Sequence, residues 1–521
     1  MPNEILIMIM DSLPAIHVLN SFFCVNKRYH QIIRRYMHQI NLADVDPHIK
    51  EYSCSTLLPA IRLNIESLIL DDIETFQKIL SFNSKTITQL FPYLRHFEIV
   101  KCFDVNRLSK CSIQSLRLLF SLKLEITNLK SDAEFRDLLF CDESRIEILN
   151  MKCNGSIVQL QDQQQDSSRT LRKLTLTLQN YNDFLYLLNY MPALEYLDVK
   201  AHNINDGEDL NLITSNKFHY LTEFHFILTK MTMYFNRINS LLSLFYKLER
   251  LSLNIMCFEC QQYIDGYYLI VCSLTRKLLG RKSRFFPKLK NLIDFEFYLL
   301  SITSSDIIIM NPTTAYVIET FQSEYWLKTG WKIGCFVNPV RDGLRFECHV
   351  FSLPFKYERF SFMPDTFLNY KKNYLTVMAC CNWINVRFLF LHDVNHRQYS
   401  VEFFKLIEKE FINLKTLFMN KDCSLNDQLI HDRRLTLNTV NVLAVDDENM
   451  SKDFGKRMLL MVPNIKILII CSRNLMEITN NFSDQDLRTI CSNILKVGHS
   501  DDNGNLIQSK EYFEYFPNLL K

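Results

Sequence analysis

Cys257-Phe258-Glu259-Cys260 is the single C-x-x-C of the chain, and its two thiols have the spacing of metal or redox chemistry. A structural zinc site requires a second ligand pair at matching distance; Cys272 is the nearby candidate and no His pair follows, so the set is incomplete. A redox pair would need a thioredoxin-like context that the surrounding residues do not supply. From Arg276 to Lys290 the chain places seven basic residues and no acidic one, Arg276, Lys277, Arg281, Lys282, Arg284, Lys288 and Lys290, with Phe285 and Phe286 among them. Bases could stack beside such a groove. A solvated basic loop leading into a strand, open to an acidic protein, is the preferred reading, and nucleic acid is not the expected partner. The 13 histidines are scattered, and no Ser/His/Asp or Cys/His set can be assembled from their spacing. His96 and His225 fall in strand positions, where a core or sheet-face histidine is expected. No enzyme activity, metal or cofactor is expected.

Glycine supports the same exclusion. Phosphate-cradling loops need glycines where backbone meets ligand, yet there are 10 in 521 residues and no G-x-G-x-x-G or G-x-x-x-x-G-K-[ST]. G-x-S-x-G and H-E-x-x-H are also missing. A net charge of +2 exerts no whole-chain pull on nucleic acid or anionic membrane. The 16 cysteines follow no disulfide framework, and the short apolar stretch Ile5–Met10 carries Glu4 at its head and runs into Asp11, unlike a secretory signal. A cytoplasmic or nuclear, non-secreted protein with reduced thiols is expected, in which the sequons at Asn154, Asn449 and Asn481 stay unused. The longest uncharged apolar run, Tyr267–Thr275, is far short of the ~20 residues of a membrane span.

The elements that would position any binding residue are announced by a recurring phrase: an apolar anchor, a second three residues on, a third at five. It reads Ile65/Leu68/Leu70, Leu94/Phe97/Ile99, Ile113/Leu116/Leu118, Ile146/Leu149/Met151, Leu171/Leu174/Leu176, Leu194/Leu197/Val199, Leu221/Phe224/Phe226 and Leu248/Leu251/Leu253. It returns at Val386/Leu389/Leu391, Leu414/Leu417/Met419, Val440/Leu443/Val445 and Ile465/Leu468/Ile470. Anchor-to-anchor spacings from Ile146 are 25, 23, 27 and 27, then 28, 26 and 25 from Val386, within the range of leucine-rich repeats. Offsets of three and five put two side chains on one face of a strand. Helix-like stretches such as Tyr181–Tyr190 lie between, with Phe184, Leu187 and Leu188 on one side. Prolines 92, 192, 287, 463 and 517 mark helix-to-strand junctions, ending a helix and favouring extended geometry before them. The units look like irregular leucine-rich repeats, although the Asn or Cys expected after each strand is mostly missing.

Between Leu289 and Val386 the period fails, and this segment holds Trp326, Trp331 and Trp383. Alternation around Pro339–Gly343 points to a β-hairpin projecting from one repeat; degenerate repeats with drifted anchors are the equal alternative. At the end, Phe516–Lys521 begins a junction and stops, as a capping partial strand or a truncated array would.

The first 42 residues read as three short helices. Pro2 and Glu4 suit a helix start, and Ile5, Leu6, Ile9, Met10 and Leu13 share one apolar stripe. Pro14 breaks it; Val18, Leu19, Phe22, Phe23 and Val25 form a second set, and Tyr29, Ile32, Ile33, Tyr36, Met37 and Ile40 a third. Met1-Pro2-Asn3-Glu4-Ile5-Leu6, Ile9, Leu13 and Val25-Asn26-Lys27-Arg28-Tyr29 resemble the F-box, with Met1, Asn26 and Tyr29 departing from its usual Leu, Cys and Trp. The resemblance implies docking on the Skp adaptor of a cullin-RING ubiquitin ligase through Pro2, Ile5, Leu6, Ile9, Leu13, Leu19 and Val25, with the repeats holding a protein substrate. The expected fold is α/β: an F-box-like three-helix module at 1–45, then a horseshoe-like solenoid of leucine-rich repeats at 46–300 and 386–521, with 301–385 irregular. A non-catalytic repeat scaffold whose helical start only caps the array is the alternative.

Overall fold

The computed structural model describes residues 3–23, 25–83, 86–102, 116–126, 145–153, 168–188, 190–203, 218–228, 238, 241–242, 244–258, 269, 291–304, 313–339, 345–368, 383–392, 397–420, 423–431, 434–446, 450–480, 483–500 and 506–507. Cys260, Cys272 and the basic run 276–290 lie outside them, as does Pro2. Two compact units divide the chain, Met1–Met256 with Ser273–Phe295, and Cys257–Cys272 with Glu296–Lys521. It is a mixed α/β protein dominated by long parallel sheets with one strand per repeat, as in a leucine-rich-repeat array.

In the first unit three helices, α1 (Asn3–Asp11), α2 (Ala15–Phe22) and α3 (Lys27–Tyr36), precede the sheet. Its strands are β1 (Gln39–Asn41), β2 (Ser67–Asp72), β3 (His96–Cys102), β4 (Ser121–Ile126), β5 (Ile148–Cys153), β6 (Lys173–Asn180), β7 (Tyr196–Asn203), β8 (Glu223–Leu228) and β9 (Arg250–Phe258). Each pairs in parallel with the next in sequence. The register stacks identical repeat positions: Leu68, Phe97, Leu122, Leu149, Leu174, Leu197, Phe224 and Leu251 form one buried column across eight strands. The helix Tyr181–Leu188 buries Phe184 and Leu188, as its spacing requires.

The phrase assigned to Ile113/Leu116/Leu118 belongs to Leu119/Leu122/Leu124: Leu122 and Leu124 are buried on β4, whereas Leu118 is exposed. The leucine-rich run satisfies the offsets twice, and only the second choice stacks on Phe97 and Leu149. Ile40 belongs to β1, not to a third helix; it and Leu42 are buried, so the sheet starts inside the stretch assigned to the helical module.

The missing Asn ladder is replaced by the main chain. The Glu66 carbonyl accepts from two successive N–H groups of the next repeat, Arg95 at 2.8 Å and His96 at 2.9 Å. Arg95, Phe120, Glu147, Arg172, Glu195 and Thr222 repeat the arrangement at each following strand entry. The main-chain groups of each strand entry are thereby paired, and at Glu195 the Thr222 hydroxyl adds a further donor.

In the second unit β10 (Asp294–Ser304) and β11 (Lys332–Pro339) both pair antiparallel with β12 (Arg345–Leu353), so the stretch where the spacing fails contains a hairpin. Parallel pairing then runs through β13 (Arg359–Met363), β14 (Phe388–Leu391), β16 (Thr416–Asn420), β18 (Val442–Asp446), β19 (Ile467–Ile469) and β20 (Lys496–Ser500). β15 (Gln398–Tyr399) and β17 (Ser424–Leu425) form a small parallel pair, and β21 (Leu506–Ile507) closes antiparallel on β20. Strand β13 pairs Phe360 with Leu389, so repeats resume inside the 301–385 segment. Helices Val401–Glu410, Lys452–Met461, Ser472–Ile478 and Gln485–Cys491 supply Phe404, Ile407, Met458, Leu475 and Leu487 to the core behind the sheet. Here an Asn ladder does exist, one residue before the anchor: the amides of Asn385, Asn413 and Asn464 donate to the carbonyls of Phe355, Ile384 and Asn438 in the preceding repeat.

Candidate functional site

The helices α1 to α3 carry both a core and a surface. Glu4 lies in the first turn of α1, Pro14 sits in extended geometry just before α2, and Ile16, Val18 and Leu19 of α2 are buried. Leu6 and Met10, four residues apart on α1, are buried with Leu19, Phe23, Ile32 and Ile33. The apolar stripe expected to lie together is split. Ile5, Ile9 and Leu13 face outward, and Met8 joins them at 71% exposure. Val25, in the link to α3, is 59% exposed. Ile5, Met8 and Ile9 fall at i, i+3 and i+4 along α1, an apolar strip in water, and Leu13 lies two residues past the helix end.

Local chemistry fixes this geometry. The side chain of Asn26 accepts from the Tyr29 N–H at 3.0 Å and so caps α3. Tyr29 in turn stacks on Phe22 of α2, centroids 5.6 Å apart. Asn26 and Tyr29, two of the three residues that depart from the F-box pattern, thus have structural duties here. Arg28 donates through two guanidinium nitrogens to Asn3 Oδ1, at 2.9 and 2.7 Å, tying the start of α3 to the start of α1. Helix α2 also packs against β1, so the module is continuous with the first strand.

The outward face of the first sheet is polar. His225 bonds Glu223 Oε1 through Nε2 at 2.7 Å, and Arg250 pairs with the same carboxylate. Burial pushes Glu223 upward, but these bonds outweigh it and hold the carboxyl below its usual range. Burial raises Asp198, and burial with Asp198 and Glu223 nearby pushes the Tyr196 phenol up to about 12. His96 is exposed and meets Phe120 edge-on. Neither histidine sits in a nucleophilic or acid–base constellation. Among the described residues no group of three or more His, Cys, Asp or Glu could hold a metal ion, and Cys257 is buried. No described helix is long and apolar enough to cross a membrane.

No protein-family description matches the sequence, and no curated protein is similar to it. Among solved structures, the crystal structure of the TLR13–ssRNA13 complex aligns over 90% of this chain with 14% identity and a TM-score of 0.30. The aligned part spans 58% of that chain, and a likeness so low bears on neither fold nor function here.

Proposed function

We propose that this chain is a non-catalytic recognition adaptor: the N-terminal helices dock the Skp adaptor of a cullin-RING ubiquitin ligase, and the repeat sheets hold a protein substrate. The observation that carries this reading is the exposed strip Ile5, Met8 and Ile9, with exposed Leu13 just past it, on a helix whose residues Leu6 and Met10 are already buried. A helix that needs only to cap a sheet has no use for a second apolar face. The F-box-like residues supply the identity of the partner. Leu6 and Leu19 act as core, Ile5, Ile9, Leu13 and Val25 as contact surface. Ubiquitin transfer to the held substrate would be promoted by proximity, with no covalent step in this subunit.

The test is co-purification of the full chain with a purified Skp adaptor. The wild-type chain forms a complex and Ile9→Asp abolishes it while the fold is retained, because Ile9 is exposed. Absence of a wild-type complex overturns the proposal. Leu6→Asp is the wrong probe, since a charge at a 5% exposed position would damage the module itself.

The packing of α2 against β1 favours a second reading, a repeat-based binding protein whose helices cap the sheet. On that reading, removing the helices destabilises the first strands and no ligase subunit is captured.

A further inference from the structure

The outward face of the second sheet is built differently from that of the first. At the positions between buried columns, where Thr416 and the small Ala444 also lie, β14, β16, β18 and β19 present Phe388, Phe390, Phe418, Val442, Ile467 and Ile469. Phe388 is 45% exposed, and the other five are half-buried by their neighbours while facing away from the helices. Phe390 and Phe418 are register partners stacked face to face, centroids 4.4 Å apart with an 11° tilt. Of the equivalent positions of the first sheet, Glu98, Lys123, Asn150, Thr175, Asp198 and His225 are polar, while Ile69 and Ile148 are apolar. The repeat therefore tolerates polar residues there, and the apolar ones are not demanded by folding.

The strand-entry edge of this floor is basic. Arg387, Lys415, Lys466 and Lys496 are all exposed. Arg387 lies 3.7 Å from Glu358; among the described residues no carboxylate pairs with the three lysines. With strands ~4.8 Å apart, the edge from β14 to β20 spans roughly 20 Å, the reach of about six extended residues.

We infer that this floor and rim form a docking platform for an extended acidic polypeptide segment, whose Leu, Ile or Phe side chains lie on Phe390, Phe418 and Ile469 while its Asp or Glu side chains meet Lys415 and Lys466. The inference rests on the substrate-holding role proposed for the repeats and names the chemistry of that substrate. A peptide suits the floor better than bases, because Phe390 and Phe418 are stacked on each other and Phe388 is the one remaining ring of the floor, beside Thr416, Val442, Ile467 and Ile469.

The test pans a random peptide library on the full chain and measures the selected peptides by fluorescence anisotropy against wild type, the Lys415→Glu/Lys466→Glu double variant and the Phe390→Ser/Phe418→Ser double variant. The expected peptides combine Asp or Glu with large apolar residues and bind both variants at least tenfold more weakly, with affinity falling as salt rises. The charge reversal lies on exposed side chains, so loss of binding there is not loss of fold. Selected peptides without acidic residues, or peptides that bind either variant as tightly as wild type, overturn the platform. So does a wild-type dimer that the phenylalanine variant dissociates, since a second copy would then be the occupant, or preferential binding of oligothymidylate. Adaptor capture is scored on the same proteins: selective peptides without adaptor capture leave the platform standing and remove the ligase reading, and adaptor capture with unselective peptides does the reverse.

Discussion

The guanidinium of Arg28 reaches across the N-terminal module to the side-chain oxygen of Asn3, so that α1, which carries the exposed apolar strip, and α3 are joined at their first turns. Both residues are exposed, so the bond is worth little to global stability, of order 0.5–1.5 kcal/mol at most. Its effect is local. Arg28→Ala should raise hydrogen exchange across α1 while leaving the sheet amides unchanged; equal exchange in the two proteins would show that α1 is held by its buried leucine and methionine alone.

Asn26→Ala removes the cap of α3 and should cost about 1 kcal/mol in the local opening of residues 27–36, with Asn26→Asp restoring most of it. Asn26→Cys, which installs the residue usual in the F-box pattern, should behave like alanine in this protein. Native-state exchange of α3 amides separates these outcomes.

The corrected repeat register is tested by two leucines four residues apart. Leu122→Ala empties a fully buried site on β4 and should cost about 2–5 kcal/mol. Leu118→Ala at an exposed site should stay within about 0.5 kcal/mol. Denaturant unfolding followed by circular dichroism measures both, and comparable losses would restore the earlier placement of the phrase.

Acid should act first on the second unit. His349 of β12 is fully buried, with Nδ1 3.1 Å from the Tyr298 hydroxyl, and burial pushes its imidazole from 6.5 down to about 3. Below pH ~6.5 the unfolded chain takes up a proton that the folded one refuses, so stability falls by about 1.4 kcal/mol per pH unit until the folded group titrates. His349→Phe keeps a ring against Phe360, to which His349 is nearly parallel at 5.7 Å, and should flatten this acid slope. Trp326, Trp331 and Trp383, the only tryptophans, all lie in this unit, so their fluorescence during acid and urea titration is the readout.

The parallel repeats were legible in the sequence because the offsets of three and five are a direct image of strand geometry. Where the image was ambiguous, sequence reading erred for a physical reason. At 113–124 leucine fits the phrase in two registers, and the choice is made by Phe97 and Leu149 on neighbouring strands. At Ile40 a 3.6-residue period runs on into a strand of three residues, too short to show alternation. Leu6 and Ile9 look alike on a helical wheel, and only the packing of α2 and α3 decides which is buried. The Asn385, Asn413 and Asn464 ladder stands in the sequence directly before the anchors Val386, Leu414 and Ile465, on the opposite side of the strand from the turn where an Asn is usual. The apolar floor of the second sheet was equally visible in Phe388, Phe390 and Phe418, and was masked by the buried residues between them.

The doubly accepting carbonyl at each strand entry has a consequence for how such a chain can change length. Every repeat offers its successor one identical oxygen and receives the same from its predecessor, as Glu66 does for Arg95 and His96 and Lys466 does for Leu495 and Lys496. Whole units can therefore be duplicated or excised with the seam healing on itself, whereas an insertion of half a unit leaves that oxygen facing the wrong amides and must leave the sheet as a loop or hairpin.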